Sequence, residues 1–153
     1  MLDEGAPAPD FTLPQDGGDE VTLSGLRGRI VVLYFYPRDD TSGCTKEAVA
    51  FTGLADAFAE AGAVVFGISK DSVAKHGKFR AKHDLGVGLL SDEHSDVCER
   101  YGVWAEKAMY GKTYMGIERS TFLIDGDGAV RKVWRKVKVP GHAEAVLDAA
   151  RAL

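Results

Sequence analysis

The sequence predicts an α/β fold: a central mixed β-sheet flanked by helices, with an N-terminal β-hairpin extension. Three observations predict it. Apolar runs of strand length, rich in β-branched and aromatic residues, recur at residues 30–36, 63–68 and 87–90. Helical periodicity follows the first two, with Phe51, Leu54, Phe58 and Ala61 on one face after the first and a capped segment at 73–83 after the second. Two further strand-like segments, 119–124 and 129–134, are joined by the tight turn Asp125-Gly126-Asp127-Gly128, which makes them an antiparallel hairpin. The order β-α-β-α-β-α-β-β-α gives a sheet with helices on both sides and that hairpin at one edge.

A chain of 153 residues is long enough for one domain with a substantial core, spanning 1–153. Apolar content of 45% and charged content of 27% are those of a globular protein. A net charge of −4 argues against nucleic acid or an anionic membrane as partner. The opening residues Met1-Leu2-Asp3-Glu4 lack the basic and apolar regions of a signal peptide, and no apolar run is long enough to span a bilayer. Two cysteines far apart in such a chain point to the reducing cytoplasm, where thiols carry out chemistry.

In chain order, 11–13 and 21–23 flank the turn-forming Gln15-Asp16-Gly17-Gly18-Asp19 and form the N-terminal hairpin. Ser24 is a candidate cap for a short turn reaching Gly28. The buried strand 30–36 leads through a polar loop into the first long helix, which Gly62 stops. Strand 63–68 follows, then helix 73–83 capped by Asp71 or Ser72 and ended by the turn around Gly86. Strand 87–90 precedes a short helix at 95–101. Residues 104–118 show no clean period and read as a loop with some strand character. After the hairpin, 141–153 is a helix with Ala145, Val146, Ala149 and Ala150 as candidate apolar positions.

The chemistry concentrates in Pro37-Arg38-Asp39-Asp40-Thr41-Ser42-Gly43-Cys44-Thr45-Lys46-Glu47. A cysteine that only fills space belongs inside a strand or on a packed helix face. Cys44 instead follows the carboxyl end of a buried strand, where open α/β sheets carry their sites. With Thr41 or Ser42 as N-cap, Cys44 lies in the first helical turn, where free N–H groups and the positive end of the macrodipole stabilise a thiolate.

Pro37-x-x-x-Thr41-x-x-Cys44-x-x-Glu47 resembles the peroxidatic motif of the peroxiredoxins. Further segments resemble other elements of that family: Ala8-Pro9-Asp10-Phe11-Thr12-Leu13, Gly67-Ile68-Ser69, Leu89-Leu90-Ser91-Asp92, Tyr101-Gly102-Val103-Trp104 and Arg119-Ser120-Thr121-Phe122. The later groups resemble the peroxiredoxin Q, or bacterioferritin comigratory protein, subfamily. The resemblance spans nearly the whole chain and implies a thioredoxin-like fold. It also implies a thiol-dependent peroxidase without cofactor or metal, which reduces hydrogen peroxide and alkyl hydroperoxides through a sulfenic acid on Cys44.

From spacing alone Arg119 reads equally well as a surface charge. The resemblance makes it the active-site arginine, a fixed cation for sulfur and peroxide. Thr41 is expected to bond the sulfur or the peroxide while capping the helix, and Pro37 to shield the thiolate. The N–H groups of Gly43 and Cys44 are candidates for holding the distal oxygen. Glu47 would order the loop by accepting from Arg119 or from backbone, or serve only as a first-turn acid, and Trp104 would wall the pocket.

Members of the subfamily often carry a resolving cysteine five residues after the first, where this chain has Val49, or on the following helix, where 73–83 has none. Cys98 alone remains, and it reads more readily as a buried inert thiol than as a resolving residue. The expectation is therefore one-cysteine chemistry in a monomer, with thioredoxin, glutaredoxin or a small thiol as reductant. The alternatives are resolution by Cys98 or a non-enzymatic peroxide sensor using Cys44. Weaker rivals are a metal site from Asp92, His94 and Cys98, a calcium loop at 125–128, a dithiol oxidoreductase, which the absence of C-x-x-C disfavours, and a Cys–His hydrolase drawing on His76, His83, His94 or His142.

Overall fold

In a computed structural model, which describes residues 2–153, the strands and helices follow the predicted order. β1 (Thr12–Pro14) and β2 (Glu20–Thr22) form the N-terminal hairpin, with Leu13 opposite Val21. A 3-10 turn occupies Leu23–Leu26. Ser24 lies inside that turn rather than capping it, its N–H donating to Asp10 Oδ1 at 2.8 Å. β3 (Ile30–Phe35) is followed by α1 (Ser42–Gly53), α2 (Ala55–Glu60), β4 (Ala63–Ser69), α3 (Val73–His83), β5 (Gly88–Ser91) and α4 (Val97–Arg100). β6 (Trp104–Met109), β7 (Lys112–Ile117), β8 (Ser120–Ile124), β9 (Val130–Trp134) and α5 (His142–Arg151) complete the chain.

The central sheet has strand order β5-β4-β3-β8-β9. β3, β4 and β5 are parallel, while β8 and β9 are the antiparallel edge pair. Alternation along β3 divides the core. Val31, Leu33 and Phe35 pack with Phe66, Ile68 and Phe122 against the N-terminal arm and α4. Val32, Tyr34 and Tyr36 pack with Leu89 and Leu123 against Cys44, Ala48 and Phe51 of α1, Phe58 of α2, Phe79 of α3, and Val146 and Leu147 of α5. The helices are thus unequally shared: α4 and the arm cover one face, the rest the other.

Three local expectations need correction, and one is met. The helix expected to run unbroken to Gly62 is interrupted at Leu54 (φ −106°, ψ 6°), just after the weak helix formers Thr52 and Gly53. Gly62 still ends the second piece in the left-handed conformation, at φ 77°. Helix α3 occupies 73–83 as expected, capped by Ser72, whose side chain accepts from Lys75 N–H, and it ends at Asp84 (φ 52°) as the chain enters the turn containing Gly86. Residues 104–118 form the β6–β7 hairpin, turning at Tyr110 (φ 53°) and Gly111 (φ 75°). Its strands alternate poorly because both faces are largely open, so the core never imposes a period of two. Finally, Ala145 of α5 is exposed, and the buried positions are His142, Ala143, Val146, Leu147 and Ala150. Among the described residues no helix is long and apolar enough to cross a membrane.

Candidate active site

β3 delivers the chain to its carboxyl end, and residues 36–41 form a loop that starts α1. Thr41 is the N-cap by backbone conformation (φ −89°, ψ 157°). The first helical hydrogen bond runs from Thr45 N–H to Thr41 O at 2.9 Å. The N–H groups of Ser42, Gly43 and Cys44 therefore have no acceptor within the helix. Cys44 is the third helical residue, 1% exposed, its sulfur beneath that first turn.

Antiparallel pairing brings Arg119 to the same place. Ser120, the first residue of β8, pairs with Phe35, the last of β3. The residue before Ser120 must therefore lie beside the loop that follows β3. Arg119 Nη2 donates to Cys44 Sγ at 3.4 Å, and Nη1 donates to Glu47 Oε1 at 2.7 Å. Gly43 makes room for this: a Cβ there would lie 3.1 Å from Nη2.

Glu47 is 1% exposed, and its Oε2 has no partner among the described residues. Burial pushes its carboxyl up to about 7, against the opposing pull of Arg119. Burial also works against the Arg119 charge, but Glu47 and Cys44 outweigh it and raise the guanidinium above its ordinary value. His142 lies behind this group, with Nε2 2.8 Å from Thr121 Oγ1. Burial, and then the Arg119 charge, lower it to about 4, so it stays neutral near neutral pH.

The other expected residues surround an adjacent cleft of about 790 Å³. Pro37, Thr41 and Trp104 line it, together with Lys70, Lys107, Met115 and Ile117. Trp104 thus walls the cleft, and the Lys70 ammonium lies 5.2 Å from its ring centroid. The Thr41 hydroxyl donates to Arg38 O at 2.9 Å and so gives its proton to the loop, not to sulfur. Lys107, on β6, went unnoticed in the sequence because a loop reading gave it no direction. Burial and the nearby Arg119 charge lower its pKa.

Cys98 is fully buried on the opposite face of the sheet, packed with Phe35 and Tyr101, whereas Cys44 packs with Tyr34 and Phe51. Both cysteines are free thiols. Burial, and then the Asp92 charge, push the Cys98 thiol far up. The rival metal site of Asp92, His94 and Cys98 does not assemble among the described residues. Asp92 accepts from the N–H groups of Val97 (3.2 Å) and Cys98 (2.8 Å), and His94 points outward to Glu93. At the 125–128 turn, Asp125 Oδ1 is taken by the N–H groups of Asp127 and Ala129. Arg119 is the only side chain hydrogen-bonded to Cys44 among the described residues, and no histidine shares that contact.

A model of the AhpC/TSA family matches residues 5–133. Peroxiredoxin Bcp of Bacillus subtilis is 50% identical over 147 residues, 96% of this chain and 94% of that protein. The solved bacterioferritin comigratory protein of Xanthomonas campestris, studied for its alkyl peroxide reduction activity, is 45% identical with a TM-score of 0.90, covering 99% of this chain and 97% of that one. PrxQ of Xylella fastidiosa superposes with a TM-score of 0.94 at 39% identity, again covering 99% and 97%. The family model and these relatives, on a shared thioredoxin-like sheet, show that the chain belongs to the AhpC/TSA family and is a peroxiredoxin of the Bcp or peroxiredoxin Q group, a thiol-dependent peroxidase.

Proposed function

We propose that Cys44 is the peroxidatic nucleophile of a one-cysteine peroxidase in one domain, 1–153, acting as a cytoplasmic monomer on hydrogen peroxide and alkyl hydroperoxides. The observation that carries this reading is the Arg119 contact: a guanidinium 3.4 Å from Cys44 Sγ, fixed from behind by Glu47. It is a permanent positive charge, pre-aimed at an anionic sulfur and at the oxygen that departs from it.

The thiolate attacks the nearer peroxide oxygen. An S–O bond forms, the O–O bond breaks, and both its electrons leave with the distal oxygen, which takes a proton to become water or an alcohol. Cys44 becomes a sulfenic acid. The N–H groups of Gly43 and Cys44, free of helical partners, are suited to hold the peroxide oxygens in line. Pro37 offers no N–H and closes the loop on one side, while Thr41 accepts at the mouth of the cleft. Trp104, Met115 and Ile117 give the cleft apolar walls, which suits an alkyl hydroperoxide, the substrate class of the Xanthomonas relative.

The two sulfurs lie on opposite faces of the sheet, which supports regeneration from outside. A first external thiol condenses with the sulfenic acid, releasing water and leaving a mixed disulfide. A second thiol, or the second cysteine of a thioredoxin or glutaredoxin, then frees Cys44. Intact-mass analysis after one equivalent of hydrogen peroxide with a sulfenic-acid trap tests this. The expected result is one trap adduct, on Cys44, in both wild type and Cys98→Ser. A two-hydrogen mass loss confined to wild type would make Cys98 the resolving residue, and no reaction at Cys44 would overturn the peroxidatic reading.

A further inference from the structure

The loop that presents Cys44 is tied to helix α3 through a buried histidine that the chemistry above does not use. His76 is 0% exposed. Its Nδ1 lies 2.6 Å from Asp39 Oδ2, and its Nε2 lies 3.0 Å from Leu90 O. Both neighbours are acceptors. A neutral imidazole has one N–H and satisfies one of them; only an imidazolium donates to both. The second proton lies between Nδ1 and the Asp39 carboxylate, which already accepts from Tyr36 O–H at 2.6 Å. Of that pair imidazole is the stronger base, so the proton belongs to the ring.

We infer that His76 is a positioning residue held as an imidazolium, and that its charged bond to Asp39 latches the 37–41 loop in the conformation that aims Cys44. This rests on the reading of Cys44 as the peroxidatic residue. Asp39 is the centre of the loop: its N–H donates to Asp71 Oδ2 at 2.8 Å, and its carboxylate takes Tyr36 and His76. The next residue, Asp40, has φ 60°, a backbone conformation that non-glycine residues adopt only when neighbours hold it. Its carboxylate takes Lys82 and His83 of α3. Thr41 then begins the helix that carries Cys44.

Three charged or titratable groups face the ring: Tyr36 and Asp39 in the loop after β3, and Asp71 between β4 and α3. β5 contributes Leu90 O, and on α3 itself the neighbouring Arg80 is committed to Asp16. Burial disfavours the charge, but Asp39, Leu90 O and Asp71 together outweigh it and hold the His76 pKa above its ordinary value. Asp39, Asp71 and His76 offer ligand atoms within 4.8 Å of one another. The 2.6 Å Nδ1–Oδ2 separation, however, is that of a shared proton and is too short for two donors on one metal ion. The sign follows from the raised pKa. The latch is complete at low pH and is lost as pH rises through the His76 value in the folded protein.

The test pairs ring-nitrogen NMR of the wild-type protein, with His76 assigned by the loss of its signal in His76→Gln, with the second-order rate of Cys44 oxidation by hydrogen peroxide across pH. The expected ring signal is that of an imidazolium persisting above the ordinary histidine range. The wild-type rate should fall with the same midpoint, separately from the His83 signal. His76→Gln should be slower by about tenfold to a hundredfold and lack that fall. A neutral His76 ring at pH 7 would overturn the inference, as would a rate that ignores the ring's titration; both are read on wild type even if the variant fails to fold. Failure of Cys44 to oxidise at any pH would instead sink the peroxidatic reading, leaving the ring signal to report on the latch charge alone.

Discussion

Arg119, Glu47 and Cys44 form a chain of charge in which each member needs the next. Arg119 has one N–H bond to sulfur and one to Glu47, so its fork cannot swing away without leaving a buried carboxylate. Replacing it by methionine keeps the length and removes the charge. Arg119→Met should slow oxidation of Cys44 by hydrogen peroxide about a hundredfold to a thousandfold, the usual cost of losing a pre-aimed donor; stopped-flow rates that match wild type would remove Arg119 from the reaction. Glu47 bears the cost of this arrangement. Its carboxyl is raised from an ordinary 4.5 to about 7, so between those values the folded protein binds a proton that the unfolded chain has released. Stability contributed by this site therefore falls as pH rises from about 4.5 to 7. Denaturant titrations of wild type and Glu47→Gln should show a stability difference that shifts in favour of the variant over that window, and a difference independent of pH would refute the assignment. Cys44 was legible in sequence through its motif and its place after a buried strand, and Arg119 only through the family resemblance, since its spacing alone read equally well as a surface charge. The carboxylate's burial was not, because a Glu one turn into a helix looks the same whether it faces solvent or the sheet.

At the scale of elements, legibility followed burial. Strands β3 and β4 were readable because both faces are packed and the apolar run is continuous. Gly67 in β4 was read in sequence only as part of a segment resembling a family element. It lies opposite Tyr34, where an added Cβ would meet the Tyr34 ring at 2.6 Å, and its absence lets that ring stack on Phe51 of α1 at 4.7 Å between centroids. That stacking sets α1 against the sheet and hence the depth of Cys44. The β6–β7 hairpin was illegible for the opposite reason. Met109, Tyr110, Tyr114 and Met115 are exposed, so no apolar alternation marks the strands. The turn uses Tyr110-Gly111 in place of the Asn-Gly that would have signalled it. The helix α1–α2 break was hidden as well, since Phe51, Leu54 and Phe58 keep their spacing across it.

For the whole molecule, the sheet is a partition. Helix α1 holds Cys44 on the face it covers with α2, α3 and α5, and helix α4 holds Cys98 on the face it covers with the N-terminal arm. Two sulfurs so divided cannot meet the few-ångström Cβ–Cβ separation of a disulfide while α1 and α4 stay packed on the sheet. Cys98 is also fully buried, with its thiol pushed up by burial, so it is both unreachable and un-ionised. Its exchange with solvent therefore requires opening the core around Phe35, Tyr101 and Phe122. Cys44 is buried too, but beneath a surface loop, so maleimide labelling of the reduced protein should reach it through local opening of the 37–41 loop and reach Cys98 only in step with global unfolding, the two rates converging as denaturant is raised. Cys98→Ser should cost about 1–3 kcal/mol through the buried hydroxyl and leave the peroxide rate of Cys44 unchanged. Native labelling of Cys98 far faster than unfolding would reveal a local opening of α4, and with it a path by which the two cysteines could meet.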